Sequence, residues 1–269
     1  MGDIVEQAKD AARGANDHPL VQALARMGYA ASGLVHLLIA WAALGIAWVP
    51  LRHGTADQSG AMQGLLDLPW GRPLLWVIVA AFAGLAAWQL TEAIGGWHGQ
   101  GRDAAFSRIK AVGKAIACLA LGWTALAFAR GGGTDSRSQS SESTQTLLSS
   151  PGGRVLVAIV GLATVGVGAY HVVKGWTCRF REDLVAEPGD VAVHAGRFGY
   201  VAKGIALAVA GLLFLADALT ADASRSTGLD GALRALADTP YGTVLLTIVA
   251  VGIAAYGVYS FFRARYTKV

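Results

Sequence analysis

Six apolar runs decide what this chain can fold into. They cover residues 28–49, 74–94, 112–129, 155–173, 201–219 and 244–262, each about 18–22 residues long. As helices rising 1.5 Å per residue, such runs cross a hydrocarbon core about 30 Å thick. None has the polar face that a soluble helix needs. Lipid offers no partner to backbone N–H and C=O groups, so each run must satisfy its own, and continuous runs of this length do so as helices. Of 269 residues only 15% are charged, against about 25% in a soluble domain. The 35 glycines beside only 7 prolines suit helices packed closely in a membrane. The first run is too long for the apolar segment of a cleavable signal peptide, so it is expected to remain as a span.

The second constraint is repetition. Residues 26–33 read RMGYAASG and residues 197–204 read RFGYVAKG, 171 positions later. A degraded copy, RIKAVGKA, lies between them at 108–115. The same offsets place Pro69, Pro151 and Pro240 in one column, each followed two residues later by Gly71, Gly153 or Gly242. Two independent anchors in one register define a unit of two spans joined by a loop, used three times. The divisions are a tail at 1–15 and repeats at 16–101, 102–190 and 191–269. The fold class is therefore all-α, with six transmembrane helices in three pseudo-repeated hairpins and a pseudo-threefold arrangement. Each loop carries a short helical pattern before its Pro, with Met62, Leu65 and Leu66 on one apolar face and Leu229, Leu233 and Leu236 on another. Ser59 and Asp230 are candidate caps. The Gly- and Ser-rich loop at 130–150 is the most polar and the best candidate for mobility.

Three tandem two-helix units with Arg-x-Gly-Tyr-x-x-x-Gly where the first helix begins resemble the bacterial membrane proteins built on domain of unknown function 1206. The resemblance covers roughly residues 16–269. It implies six spans in three repeats and transfers no catalytic residue. The middle copy departs from the motif, with Lys110 and Ala111 in place of Gly-Tyr.

Cationic residues orient the chain. The N-tail, the second and fourth loops and the C-tail hold 15 Lys and Arg, and the other three loops hold 7. The positive-inside rule then puts both termini in the cytoplasm, with the bacterial inner membrane as the expected location. The net charge of +4 is accounted for by this asymmetry and calls for no nucleic acid.

Aligned columns carry the candidate chemistry. Steps of four stay on one helix face. On the first helices that face reads Gly28, Ser32, His36; Lys110, Lys114, Cys118; and Gly199, Lys203, Leu207. On the second helices it reads Gly84, Trp88, Glu92; Gly166, Tyr170, Lys174; and Ala255, Tyr259, Arg263. Counted from the cytoplasmic ends, Ser32, Lys114 and Lys203 share a depth with Trp88, Tyr170 and Tyr259. One reading has Lys114, Lys203, Arg108 and Arg197 facing inward with these aromatics, a basic pocket for an anionic ligand, with Glu92 as the nearest partner for Lys114 or Lys203. The other has the lysines snorkelling to the headgroups and the aromatics forming an interfacial belt.

No enzyme motif is present: there is no GxSxG, no HExxH and no phosphate loop with its Lys. Neither Cys118 nor Cys178 is placed for a disulfide, and no zinc spacing exists. His36 and His171 sit in or near spans. As haem ligands their estimated depths differ by about 10 Å, so a hydrogen-bonded His is the better reading. No cofactor or metal is expected. The leading functional reading is non-enzymatic binding or permeation of an anionic small molecule, ion or lipid headgroup at the cytoplasm-facing site. The rivals are an accessory subunit docking a partner membrane protein or a second copy, and a haem or quinone redox protein. The expected partners are the lipid bilayer, that anionic ligand, and a homo-oligomer or partner protein.

Overall fold

A computed structural model describes residues 7, 14, 18–49, 55–95, 102–133, 136–185, 189–223 and 228–267. Six helices are long and apolar enough to cross a membrane. They are α1 (Pro19–Trp48), α3 (Gly71–Gly95), α4 (Arg102–Ala129), α6 (Pro151–Trp176), α7 (Gly189–Thr220) and α9 (Gly242–Tyr266). Three short helices lie between them in the loops that end at the Pro column: α2 (Gln58–Leu66), α5 (Ser136–Leu148) and α8 (Gly228–Ala237). A 3-10 turn, Arg179–Asp183, follows α6. An isolated bridge between Leu184 and Thr267 ties the segment after that turn to the end of α9.

The starts of the helices follow the sequence. His18 caps α1 with its ring accepting from the Leu20 N–H, and Pro19 opens the helix at a position whose N–H would have had no partner. Ser150 and Pro151 do the same for α6, the Ser hydroxyl accepting from the Gly153 N–H. The cap of α2 is Asp57, which accepts from Gly60. Ser59 is instead buried within α2. Asp230 is buried too, but it serves a tertiary purpose: it accepts from the Ala56 N–H at 2.8 Å and pairs with Arg234 at 2.9 Å, joining the first and third loops. The glycines of the Pro-x-Gly column share one cause. A Cβ at Gly71, Gly153 or Gly242 would run into the carbonyl of Leu65, Leu147 or Ala237, at the end of the preceding short helix.

Consecutive spans pack on one another, and the last packs on the first, with one exception. Contacts run α4–α3–α1–α9–α7–α6, while α4 and α6 make no extended contact among the described residues. The circuit of helices is broken at the seam inside the second repeat.

Repeat columns explain both the contacts and the break. Between repeats, Gly33 lies against the backbone of Gly257, Gly204 against Gly168, and Gly211 against Gly161. The position matching Gly33 and Gly204 is Ala115, and that matching Gly257 and Gly168 is Ala86. Both alanines are buried, so this interface also uses small residues. Within repeats, Gly28 meets Leu85 and the Ala81 carbonyl, and Gly199 meets the backbone of Tyr256. In the second repeat the corresponding residue is Lys110. A lysine cannot fill a space that leaves no room for a Cβ, so α4 does not close on α6.

Candidate functional site

Cations and aromatic rings gather at the end of the bundle where α1 begins and α9 ends. Lys203 of α7 stands 4.1 Å from the centre of the Tyr256 ring. Its ammonium also lies 3.1 Å from His36 Nε2. His36 Nδ1 is 2.7 Å from the Ser32 carbonyl one turn back. These contacts fix the tautomer: Nδ1–H donates to Ser32, leaving Nε2 as the acceptor for Lys203. The nitrogen that a haem iron would need is thereby engaged. His171 repeats half of the pattern, with Nδ1 at 2.8 Å from the Val167 carbonyl.

The second centre is Asp183, brought back under the bundle by the turn after α6. It accepts from Lys174 at 2.6 Å and lies 3.8 Å from Arg263. Burial pushes its carboxyl up, but Arg263 and Lys174 outweigh burial and hold it below the ordinary carboxylate value. Around it Phe180 stacks on Tyr200 with centroids 5.5 Å apart and meets Tyr259 edge-on at 5.1 Å. Tyr259 donates its hydroxyl to the Phe180 carbonyl at 3.2 Å.

The repeated Tyr of the Gly-Tyr motif finds its use here. Arg263 lies 4.3 Å from the centre of the Tyr29 ring, and Lys174 lies 5.4 Å from that of Tyr200. Both contacts cross between repeats, and both pair the same two columns. At the third interface the Tyr is Ala111 and the cation is Glu92. The two departures from the pattern fall on facing helices, α4 and α3, so ring and cation are lost together.

Each residue singled out from the sequence has a definite place. Lys203 belongs to the cluster, and Ser32 contributes through its carbonyl. Lys114 is accessible on α4, yet it interacts electrostatically with Arg263, Asp183, Glu92 and Lys174, which sit on three other elements and the turn. Lys114 is thus the accessible member of this charged neighbourhood. Glu92 is half-buried and shares this neighbourhood, but the direct partners of Lys203 are His36 and Tyr256. Tyr259 is fully buried (0% exposed) in the aromatic cluster, whereas Trp88 joins the main apolar core. Tyr170 is 42% exposed. Arg108 is exposed, and Arg197 is exposed with its guanidinium 5.1 Å from the Trp176 ring, so both stand outside the cluster. The sequence reading passed over Tyr29, Tyr200, Tyr256, Lys174, Arg263 and Asp183 as site residues. All but Asp183 lie on spans that the repeat register aligns.

Among the described residues, four cations, Lys114, Lys174, Lys203 and Arg263, thus share this neighbourhood with two carboxylates, Asp183 and Glu92. Arg263 is only 9% exposed, and its Nε–H has no hydrogen-bond partner among the described residues. Among those residues no group of three or more His, Cys, Asp or Glu could hold a metal ion.

Comparison with known proteins agrees with the repeat. The family described as Domain of Unknown Function (DUF1206) matches three times, at residues 27–96, 109–178 and 198–267. The chain is also 29% identical over 258 residues to "Uncharacterized protein YxxB" of Bacillus subtilis (strain 168), covering 92% of each chain. No solved structure matches.

Proposed function

The chain belongs to the DUF1206 family, and we propose that it binds an anionic small molecule, ion or lipid headgroup, without catalysis, at the cluster of Lys114, Lys203 and Arg263. The observation that carries this reading is the excess of inner cations over carboxylates, with the buried Arg263 Nε–H left unpaired. Charge placed in a span is costly and sits where a partner or ligand compensates it. Here the protein supplies part of that compensation through Asp183 and through ring faces. An anion completes it. The 15-to-7 bias of Lys and Arg between the two sets of loops and tails supports a cytoplasmic position for this end of the bundle in a bacterial inner membrane.

Thermal unfolding of the purified protein in detergent tests the reading. Glycerol phosphate at about 100 times its dissociation constant stabilises by about 2.7 kcal/mol. Lys114→Ala with Lys203→Ala removes that gain while the variant stays folded. An equal gain in the double variant refutes the site.

One observation favours an accessory role as the second reading. The spans α4 and α6 are the least buried, with 28% and 17% of their most apolar stretches covered. A partner helix seated there would be detected as a stable complex after purification.

A further inference from the structure

The seam between α4 and α6 leaves apolar helix faces uncovered at a defined register. Four columns of the second helices are buried in the outer repeats, by Ile78, Ala81, Leu85 and Trp88 in the first and by Val249, Gly252, Tyr256 and Tyr259 in the third. In each case the cover includes the first helix of the same repeat. In the second repeat the matching residues are Val160, Ala163, Val167 and Tyr170, and all four are exposed. On α4 the matching positions are Gly113, where a Cβ would meet no atom within 4 Å, and Ala117, also exposed. Their counterparts Ala31, Val35, Ala202 and Ala206 are buried. At the terminal end of this seam α4 carries Lys110 and Lys114 one turn apart, both accessible. Lys114 is within electrostatic reach of Arg263, whose Nε–H has no hydrogen-bond partner among the described residues.

We infer that this seam forms a groove for the acyl chain of an anionic membrane lipid, its headgroup on Lys114 and the cations behind it. This rests on the headgroup reading above and adds the class of ligand and its path: lateral entry from the bilayer through the open seam. The occupant follows from charge and shape. A chain of methylenes fits between an apolar wall and one reduced to Gly and Ala, and only an amphiphile with a negative head also answers Lys114 at the mouth. A helix of a second copy would have to bury the accessible Lys114 beside the cations Lys174 and Arg263.

Native mass spectrometry of the full chain, equilibrated with diacyl phosphatidylglycerol or with phosphatidylcholine of the same chains, tests this. Phosphatidylglycerol is expected to stay bound and phosphatidylcholine to be lost. Gly113→Leu with Ala163→Leu fills the groove. It is expected to cut phosphatidylglycerol retention about tenfold or more while stabilisation by glycerol phosphate is unchanged. Gly113→Leu alone serves if the pair folds poorly. If the filled groove retains phosphatidylglycerol as well as the parent does, the chain does not sit there and the inference falls, while the headgroup site stands. If glycerol phosphate also fails to stabilise the parent, or both lipids are held equally, the headgroup site falls with it. A dimer that disappears on filling the groove makes the occupant a second copy and overturns the lipid.

Discussion

Arg263 near the end of α9 lies 4.3 Å from the centre of the Tyr29 ring near the start of α1, closing the last repeat onto the first. A cation over an aromatic face contributes about 0.5–2 kcal/mol, more when water is excluded. A double-mutant cycle with Tyr29→Leu and Arg263→Gln is expected to give a coupling in that range, read from unfolding in detergent. The matched cycle at Tyr200 and Lys174 should give a smaller value, because that ammonium stands farther off, at 5.4 Å. Purely additive losses would show that the rings merely sit nearby.

Asp183 makes stability depend on acid. Its carboxyl is held below the ordinary value of 3.8 by Arg263 and Lys174 against the opposing effect of burial. A carboxylate whose folded pKa is depressed binds fewer protons folded than unfolded, so its contribution is present above pH 3.8 and is lost as pH falls through the folded value. The melting temperature is expected to drop steeply below about pH 4. Asp183→Asn should melt lower at neutral pH and lose that part of the acid dependence. An unchanged acid limb in the variant would assign it to other carboxylates.

Glycines of one sequence type should answer substitution oppositely. A Cβ at Gly33 would come within 2.8 Å of the Gly257 carbonyl, and one at Gly168 within 2.7 Å of the Gly204 carbonyl. Gly33→Ala or Gly168→Ala is expected to cost about 1–3 kcal/mol by overpacking. Gly113 and Gly166 face open space, so Gly113→Ala and Gly166→Ala should be neutral or slightly stabilising. Equal costs at all four would mean that α4 and α6 are closed after all.

Much of this was legible in the sequence, and its limits have physical causes. Length and continuity of the apolar runs define six spans because lipid leaves the backbone no other solution. The repeat register places the loop helices before Pro69, Pro151 and Pro240 because a short helical pattern recurs ahead of each Pro; the structure adds that a Cβ two residues past each Pro has no room. The choice among partners was not legible. A column names which residues share a face, but not which neighbouring helix that face meets. Trp88, Tyr170 and Tyr259 share a column yet lie in the core, on the open seam and in the aromatic cluster. Asp183 sits past the matched residues of the second repeat, where no column exists to mark it.

Topology follows from the same cationic bias. Reporters fused after Tyr266 and ahead of Pro19 should both be active only in the cytoplasm, and one inserted between Ser150 and the α5 helix only outside. The reverse pattern would turn the basic cluster toward the exterior.

An experimental map of the protein in bilayer discs containing phosphatidylglycerol tests most directly whether the seam and the cation cluster hold an anionic lipid. Density for an anionic group is expected between Lys114 and Arg263, with a chain leading outward past Val167 and Tyr170. A map in which the Lys114 ammonium extends into the headgroup layer, with only water at Arg263 and α4 packed on α6, would contradict this expectation.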